Sequence, residues 1–121
     1  MAKITSKRTL AALAAVEEYL RLYKRWRWIR GIYDDFYDAY CLPNSPVSTF
    51  DMPEIERLEA KISDWEDKAH CKKEDAEDVF WALKPQFWHV KAFRVRFTEV
   101  ARYVSKIELG LPDDWIFPDD F

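Results

Sequence analysis

Glycine is scarce in this sequence, with two residues among 121. Tight turns and phosphate-cradling loops need glycine, because it adopts left-handed backbone conformations at little steric cost. The scarcity therefore argues against Rossmann and P-loop enzymes. Cysteine is equally rare, and Cys41 and Cys71 do not make the cysteine framework of a small secreted domain. We expect reduced thiols in a cytoplasmic protein.

Long apolar runs are also missing, since no stretch approaches the roughly 18 residues that a membrane span requires. The first residues resemble a signal peptide, with positive charge before the apolar patch 10–16, but that patch is short and runs into Glu17 and Glu18. A capped amphipathic helix explains it better. The length is typical of one domain, so we expect a helical domain over residues 1–110, a C-terminal tail over 111–121, and no membrane partner.

Charge of the two signs is segregated along the chain, although the net charge is only −3. Residues 1–30 hold eight basic and two acidic side chains, whereas residues 31–83 hold five basic and fourteen acidic ones. Residues 84–108 are basic again, and the tail carries four aspartates. Such asymmetry is typical of an electrostatic binding surface, but oppositely charged helices packed in one domain also produce it.

The first forty residues repeat apolar side chains at spacings of three and four, which predicts a helix. Thr5 or Ser6 is placed to cap it, and Gly31 lies inside the pattern, where we allow a kink without ending the helix. A second stripe lies nearly opposite the first, so the helix needs neighbours on two faces, from this chain or from a second copy in a homodimer. The stripes are Tyr19, Leu22, Trp26, Ile29, Tyr33, Phe36 and Tyr40, and Leu13, Val16, Leu20 and Tyr23.

Three further helices are predicted after a proline-rich loop over residues 42–53. Asp51 suits the N-cap region of the second helix, the third is short and runs from about residue 73 to 83, and Pro85 fits the first turn of the fourth, which stops at Gly110. The fold class is therefore all-α, an antiparallel bundle of about four helices. The supporting stripes are Ile55, Leu58, Ile62, Trp65 and Ala69; Ala76, Val79, Phe80 and Leu83; and Val90, Phe93, Phe97, Val100, Val104 and Ile107.

Residues 111–121 cannot continue the last helix, because two prolines and four aspartates interrupt it. They predict an extended acidic-aromatic tail. Two uses remain open: a linear motif that places apolar anchors in a partner's groove, or a lid that folds back on the end of the bundle. The candidate partner-binding residues of the tail are Asp113, Asp114, Trp115, Phe117, Asp119, Asp120 and Phe121.

No catalytic or metal-binding pattern is present. Nucleophilic catalysis pairs a cysteine or serine with a histidine, and only His70 and His89 are available. His70 and Cys71 are neighbours in the chain, and neighbours on a helix project about 100° apart. A metal site that used both histidines and both cysteines would lack CxxC or HxxxH spacing. We therefore expect a non-enzymatic protein with no cofactor and no metal.

Basic and aromatic side chains alternate near residue 25. Arg21, Lys24, Arg25 and Trp28 project together on a side of the helix away from the main aromatic stripe. Cations that contact phosphates, together with an indole that stacks on a base, are the chemistry of nucleic-acid binding. The fourth helix carries a similar set of cations, but acidic helices in the same chain could neutralise both faces. The candidate nucleic-acid-binding residues are Arg21, Lys24, Arg25, Trp28, Lys91, Arg94 and Arg102.

Asp34, Asp35 and Asp38 lie near the end of the first helix, where the helix dipole disfavours acids. We hypothesise that they face cations on another helix or on a partner. Six tryptophans support a binding role, because Trp and Tyr anchor protein interfaces. Small, acidic, aromatic-rich helical proteins without an active site are typical of phage-encoded inhibitors, including anti-CRISPR proteins. The expected partner is a larger protein or protein–nucleic acid complex that this protein inhibits or modulates. The alternatives are a nucleic-acid-binding accessory protein that uses the basic helix faces and a self-assembling structural subunit.

Overall fold

The structure, a computed structural model, describes residues 6–40 and 52–117. Three α-helices make up 87% of this described part, which contains no strand. They are α1 (Lys7–Tyr40), α2 (Met52–Phe87) and α3 (Lys91–Glu108). The predicted all-α class is confirmed. No helix among the described residues combines the length and the apolar character needed to cross a membrane.

The helix α1 begins with a side-chain cap. The Ser6 hydroxyl accepts a hydrogen bond of 3.1 Å from the Thr9 backbone N–H, and the Ser6 and Thr9 hydroxyl oxygens lie 3.0 Å apart. This bond satisfies one of the N–H groups that have no partner inside the helix. Ser6 is thus the cap, and the alternative candidate, Thr5, lies outside the described residues. The helix continues through Gly31 to Tyr40, as predicted.

The predicted second and third helices form the single helix α2, so the described chain has three helices and the predicted count of about four is not confirmed. Residues 70–72, which separated the two predicted helices, contain neither glycine nor proline. Such residues do not break a helix. The apolar stripe is interrupted at these residues, but the backbone remains helical through them.

Pro85 lies inside the end of α2 and does not open the next helix, which corrects the prediction. A proline there removes one backbone hydrogen bond, and its ring crowds the carbonyl one turn earlier. Its fixed φ is nevertheless helical, and the helix ends two residues later, so the disturbance is confined to the last turn. The side-chain amide of Gln86 donates to the Ala82 carbonyl in this region, at 3.1 Å. Val90 then adopts an extended conformation at the N-cap of α3, which begins at Lys91.

The helix α3 ends in a Schellman motif. Gly110 has φ of 64°, a left-handed conformation that glycine adopts without strain. The Leu111 N–H donates to the Lys106 carbonyl at 2.9 Å, and the Gly110 N–H donates to the Ile107 carbonyl at 3.2 Å. The predicted stop at Gly110 is therefore confirmed, and its physical cause is the left-handed conformation of this glycine.

The chain divides into two compact units, and both α1 and α2 contribute a segment to each. We call them the three-helix unit, which holds the described residues up to Leu20 and from Glu77 onward, and the hairpin unit, which holds Arg21–Ala76. In the hairpin unit, helical residues 21–40 and 52–76 run antiparallel. In the three-helix unit, the helical segments are residues 7–20, 77–87 and 91–108.

Aromatic rings from all three segments form the core of the three-helix unit. Phe97 of α3 stacks on Phe80 of α2 with ring centroids 4.0 Å apart and planes inclined by 7°, and Tyr19 of α1 packs on Phe80 at 4.6 Å. All three side chains are at most 2% exposed. Burial of such a ring stabilises the fold by about 1.5–3 kcal/mol. Tyr19 of the α1 stripe and Phe97 of the α3 stripe are thus core positions.

An ion pair joins α1 to α3 at the surface of the same unit. The Arg96 guanidinium donates two hydrogen bonds to the Glu17 carboxylate, of 2.5 and 2.8 Å. The Glu17 carboxylate raises the pKa of Arg96 above its ordinary value, chiefly through these hydrogen bonds. The bidentate geometry fixes the orientation of the two side chains.

A polar cluster holds the hairpin unit together. The Trp26 indole N–H donates to the Glu66 carboxylate at 3.0 Å, and the Lys73 ammonium lies 4.6 Å from the Trp26 ring centroid. Lys73 is only 6% exposed, and its ammonium donates to the Glu74 carboxylate at 3.2 Å. Cation–π and charge-assisted hydrogen bonds stabilise this otherwise costly buried lysine.

Candidate functional site

The described residues contain no group of three or more His, Cys, Asp and Glu side chains that could hold a metal ion. His70 belongs to the polar cluster, with its Nε2 3.1 Å from the Glu74 carboxylate and its ring 5.6 Å from the Trp26 ring. Cys71 is an exposed free thiol, whereas Cys41 lies outside the described residues. The expectation of a non-enzymatic protein stays a prediction.

The last turns of α1 form an exposed surface that we call the acidic end, made of Asp34, Asp35, Tyr37, Asp38 and Tyr40. The two tyrosines are 43% and 42% exposed, which is high for large aromatic side chains. No basic residue occupies the last turn of α1. Because a helix C-terminus is itself negative, three carboxylates there concentrate negative potential beside two exposed rings.

The sequence hypothesis that these acids face cations is answered in part. Asp34 lies 3.4 Å from the Arg30 guanidinium, one turn earlier on the same helix, with both side chains about half exposed. Within the described ranges 6–40 and 52–117, no cation lies at ion-pair distance from Asp35 or Asp38. Those two carboxylates are therefore available to a cation from outside these ranges.

A second surface, the basic groove, runs between the two helices of the hairpin unit. Its volume is about 120 Å³. Trp65, which is 56% exposed, supplies an aromatic wall, and Ile29 and Ala69 form its buried floor. The lining residues are Arg25, Ile29, Trp65, Lys68, Ala69 and Lys72.

The charges of the basic groove are only partly compensated. Lys68 pairs with Asp64 at 3.0 Å on the same helix. Arg25 and Lys72 have no carboxylate at ion-pair distance among the described residues. The groove therefore presents a net positive surface beside an indole face.

Of the residues that line this groove, the sequence analysis predicted only Arg25 as a binding residue. It predicted Arg21, Lys24, Arg25 and Trp28, all of which are exposed on α1, with Trp28 64% exposed. It did not include the contributions of α2, which reach Arg25 only because the two helices pack antiparallel. A signal was present, since Trp65, Lys68 and Lys72 follow one another at spacings of three and four and share a helix face.

The α3 cations of the nucleic-acid prediction lie in the three-helix unit, and two of them contact other parts of that unit. Arg94 donates to the Trp88 carbonyl at 2.8 Å, and the Arg102 guanidinium lies 5.6 Å from the Phe117 ring centroid. Lys91 is exposed. Arg94 and Arg102 are thus engaged in contacts within the unit, and nucleic-acid binding by the three cations stays a prediction.

The described part of the tail, residues 111–117, turns back along α3. The Lys106 ammonium donates to the Asp113 carbonyl at 2.6 Å, and Phe117 packs against Arg102. The predicted extended tail is thus not confirmed over these residues. Asp113, Asp114 and Trp115 remain exposed, whereas Phe117 is partly covered. Asp119, Asp120 and Phe121, also predicted to bind a partner, lie outside the described residues.

No family model, curated protein or solved structure matches this chain. The acidic end and the basic groove must therefore be interpreted from their own chemistry.

Proposed function

We propose that this protein is a non-enzymatic binding protein that docks on a larger, nucleic-acid-handling protein and inhibits or modulates it. The observation that carries the proposal is the acidic end of α1. Asp35 and Asp38 have no cation at ion-pair distance among the described residues, and they lie next to the exposed rings of Tyr37 and Tyr40. Tyrosines anchor protein interfaces through large, rigid apolar area, and charges set orientation and association rate.

The proposed mechanism is competition for cations. A protein that handles nucleic acid presents arginine and lysine side chains to phosphates, and a carboxylate pairs with the same groups. Docking of the acidic end would occupy these cations, and Asp113, Asp114 and Trp115 at the end of α3 offer a second surface of the same chemistry. We propose that the protein acts as a phage-encoded inhibitor, of the kind that includes anti-CRISPR proteins. It would act in the cytoplasm of a bacterial host.

Affinity capture with charge-reversed variants tests the proposal. The wild-type protein, Asp35→Lys/Asp38→Lys and the control Asp75→Lys/Asp78→Lys would each be immobilised and exposed to host lysate, with quantitative mass spectrometry of retained proteins. Asp75 and Asp78 are also exposed, on α2. The control replaces two aspartates by lysine, as the test variant does, so both change the net charge by the same amount. We expect a nucleic-acid-handling protein to be retained by the wild type and the control and lost by the first variant.

The purified partner then supplies the decisive measurement. Its affinity for its nucleic acid should fall as the wild-type protein is added, and the acidic-end variant should compete at least tenfold less well. A partner that binds both charge-reversed variants equally would contradict the proposal, as would a partner whose nucleic-acid binding is unaffected. Circular dichroism of each variant confirms that the fold is retained.

A second candidate function, direct nucleic-acid binding, is favoured by the basic groove. Arg25 and Lys72 provide positive charge without a described carboxylate, and Trp65 provides a ring on which a base could stack. Single-stranded nucleic acids bind to this combination of charge and aromatic surface, with strong salt dependence.

Fluorescence anisotropy with single-stranded DNA, single-stranded RNA and duplex DNA separates the two candidates. If the groove binds nucleic acid, affinity should fall steeply with salt, and Arg25→Gln/Lys72→Gln should weaken it at least tenfold more than the control Lys91→Gln. Equal effects of the two substitutions would indicate non-specific attraction. No binding by the wild type near physiological salt would eliminate this candidate and leave protein docking.

A further inference from the structure

A cavity in the three-helix unit lies between the end of α2 and α3, and neither proposed function uses it. Its volume is about 150 Å³, and cavities of about this size admit one benzene-sized ring. Its walls are almost wholly apolar. The lining residues are Trp81, Lys84, Trp88, Phe97, Thr98 and Ala101.

Lys84 is the one charged residue in this lining, and aromatic rings surround its ammonium group. Its Nζ lies 4.9 Å from the Trp88 ring centroid, 5.8 Å from that of Trp81 and 5.9 Å from that of Phe97. Among the residues that the structure describes, no carboxylate lies at ion-pair distance from Lys84. The rings hold the cation in place, and the cavity has a positive charge that no described anion neutralises.

Three aromatic rings form the walls of this cavity, and Trp81 is 48% exposed. Trp81 and Trp88 stand nearly perpendicular to Phe97, with interplanar angles of 80° and 88° and centroid distances of 5.3 and 5.8 Å. Phe97 is itself immobilised, because it is 2% exposed and stacked on Phe80. A further ring that enters this space meets indole and phenyl surfaces suited to edge-to-face or offset contact.

We propose that this cavity binds a small aromatic monocarboxylate. The ring of the ligand lies against Trp81 and Trp88, its carboxylate pairs with the Lys84 ammonium, and the Thr98 hydroxyl is the second available donor. A neutral ring leaves the ammonium without an anion, and a cationic ring is repelled by it. The inference is independent of the proposed function, because it concerns residues that neither proposed binding surface uses.

Titration with phenylacetate tests the site. Binding is measured by calorimetry and by the NMR signals of the indole N–H groups, with Lys84→Met as the test variant and Lys91→Met as the matched control. We expect saturable shifts of the Trp81 and Trp88 signals in the wild type, at least tenfold weaker binding by K84M, and unchanged binding by K91M. Benzyl alcohol, which lacks the charge, should bind at least tenfold more weakly than phenylacetate.

Several results would overturn the proposal. They are the absence of a saturable shift at millimolar phenylacetate, equal affinity of K84M and K91M, or equal affinity for benzyl alcohol. Should K84M prove unfolded by circular dichroism, Lys84→Gln replaces it with the same expectation. Thr98→Val, which is nearly isosteric, should weaken binding several-fold if the hydroxyl donates to the carboxylate.

Discussion

The indole N–H of Trp26 on α1 donates a 3.0 Å hydrogen bond to the Glu66 carboxylate on α2, across the hairpin unit. Glu66 has a side-chain exposure of 13%, and Arg30 lies 3.5 Å from the same carboxylate oxygen. A nearly buried carboxylate needs such donors, since an unsatisfied one is costly. The bond therefore helps to set the register of the two helices.

Substitution of Trp26 should show this directly. Trp26→Phe keeps an aromatic ring but removes the donor, and we expect a loss of about 1.5–3 kcal/mol in the free energy of unfolding, as for hydrogen bonds to charged groups. Trp28→Phe is the control, because Trp28 is 64% exposed and should change stability by less than about 0.5 kcal/mol. Urea unfolding followed by circular dichroism measures both, and equal losses would refute the role of the bond.

Phe97 should be among the most sensitive positions of the three-helix unit. It is 2% exposed and stacks on Phe80, so Phe97→Ala removes a ring and leaves a cavity. We expect a loss of about 3–5 kcal/mol. Val95→Ala, on the same helix but 50% exposed, should cost far less. If thermal unfolding midpoints fell equally for the two variants, the core as described would be wrong.

The Glu17 and Arg96 pair should contribute little despite its geometry. The Arg96 and Glu17 side chains are 36% and 50% exposed, and solvent-exposed pairs couple by about 0.2–1 kcal/mol. A double-mutant cycle with Glu17→Gln and Arg96→Gln measures this coupling. A value above about 2 kcal/mol would show that solvent screens the pair less than its exposure indicates.

The pH dependence of that pair follows from the raised pKa of Arg96. A raised pKa stabilises the folded state fully below the pKa of an unfolded arginine, and this contribution is lost only as pH rises through the higher folded value. We therefore expect the arginine's contribution to be constant between about pH 6 and 9. A coupling energy that fell within that range would point to a different titrating group.

The two glycines should respond to alanine with opposite signs. A Cβ at Gly31 would meet no heavy atom within 4 Å, and the residue lies inside α1, so Gly31→Ala should stabilise by about 0.5–1 kcal/mol. Gly110 also has open space, but its φ of 64° strains any residue with a Cβ. Gly110→Ala should therefore destabilise by about 1 kcal/mol. Urea unfolding measures the change in the free energy of unfolding for each variant. Changes of the same sign for both variants would contradict this prediction.

Local patterns predicted most of the secondary structure, because each depends on neighbours in the chain. The cap at Ser6, the passage through Gly31 and the stop at Gly110 follow from backbone conformation and hydrogen-bonding capacity near those residues. Two local inferences were wrong. The interrupted apolar stripe does not mark a break in α2, and Pro85 does not start a helix, because the last turn of a helix can accommodate a proline.

The candidate sites could be predicted only where they belong to one helix. The acidic end is continuous in sequence, and its three aspartates were predicted, although its two tyrosines were not. The basic groove joins residues of α1 to residues of α2 that are at least 36 positions away, and the Lys84 cavity joins residues 81–88 to residues of α3 that are at least 9 positions away. Nothing in the local pattern around Arg25 says that Trp65 will face it. Nor does the pattern around Lys84 show that Phe97 will approach its ammonium.

The amino-acid sequence alone determined that the chain is helical, where α1 begins and where α3 ends, because helical periodicity and capping act over a few residues. The tertiary structure alone decided which faces meet, which cations have no carboxylate beside them in the described ranges, and which tryptophans line a cavity. Those outcomes depend on the register between antiparallel helices, which side-chain packing across the whole fold selects.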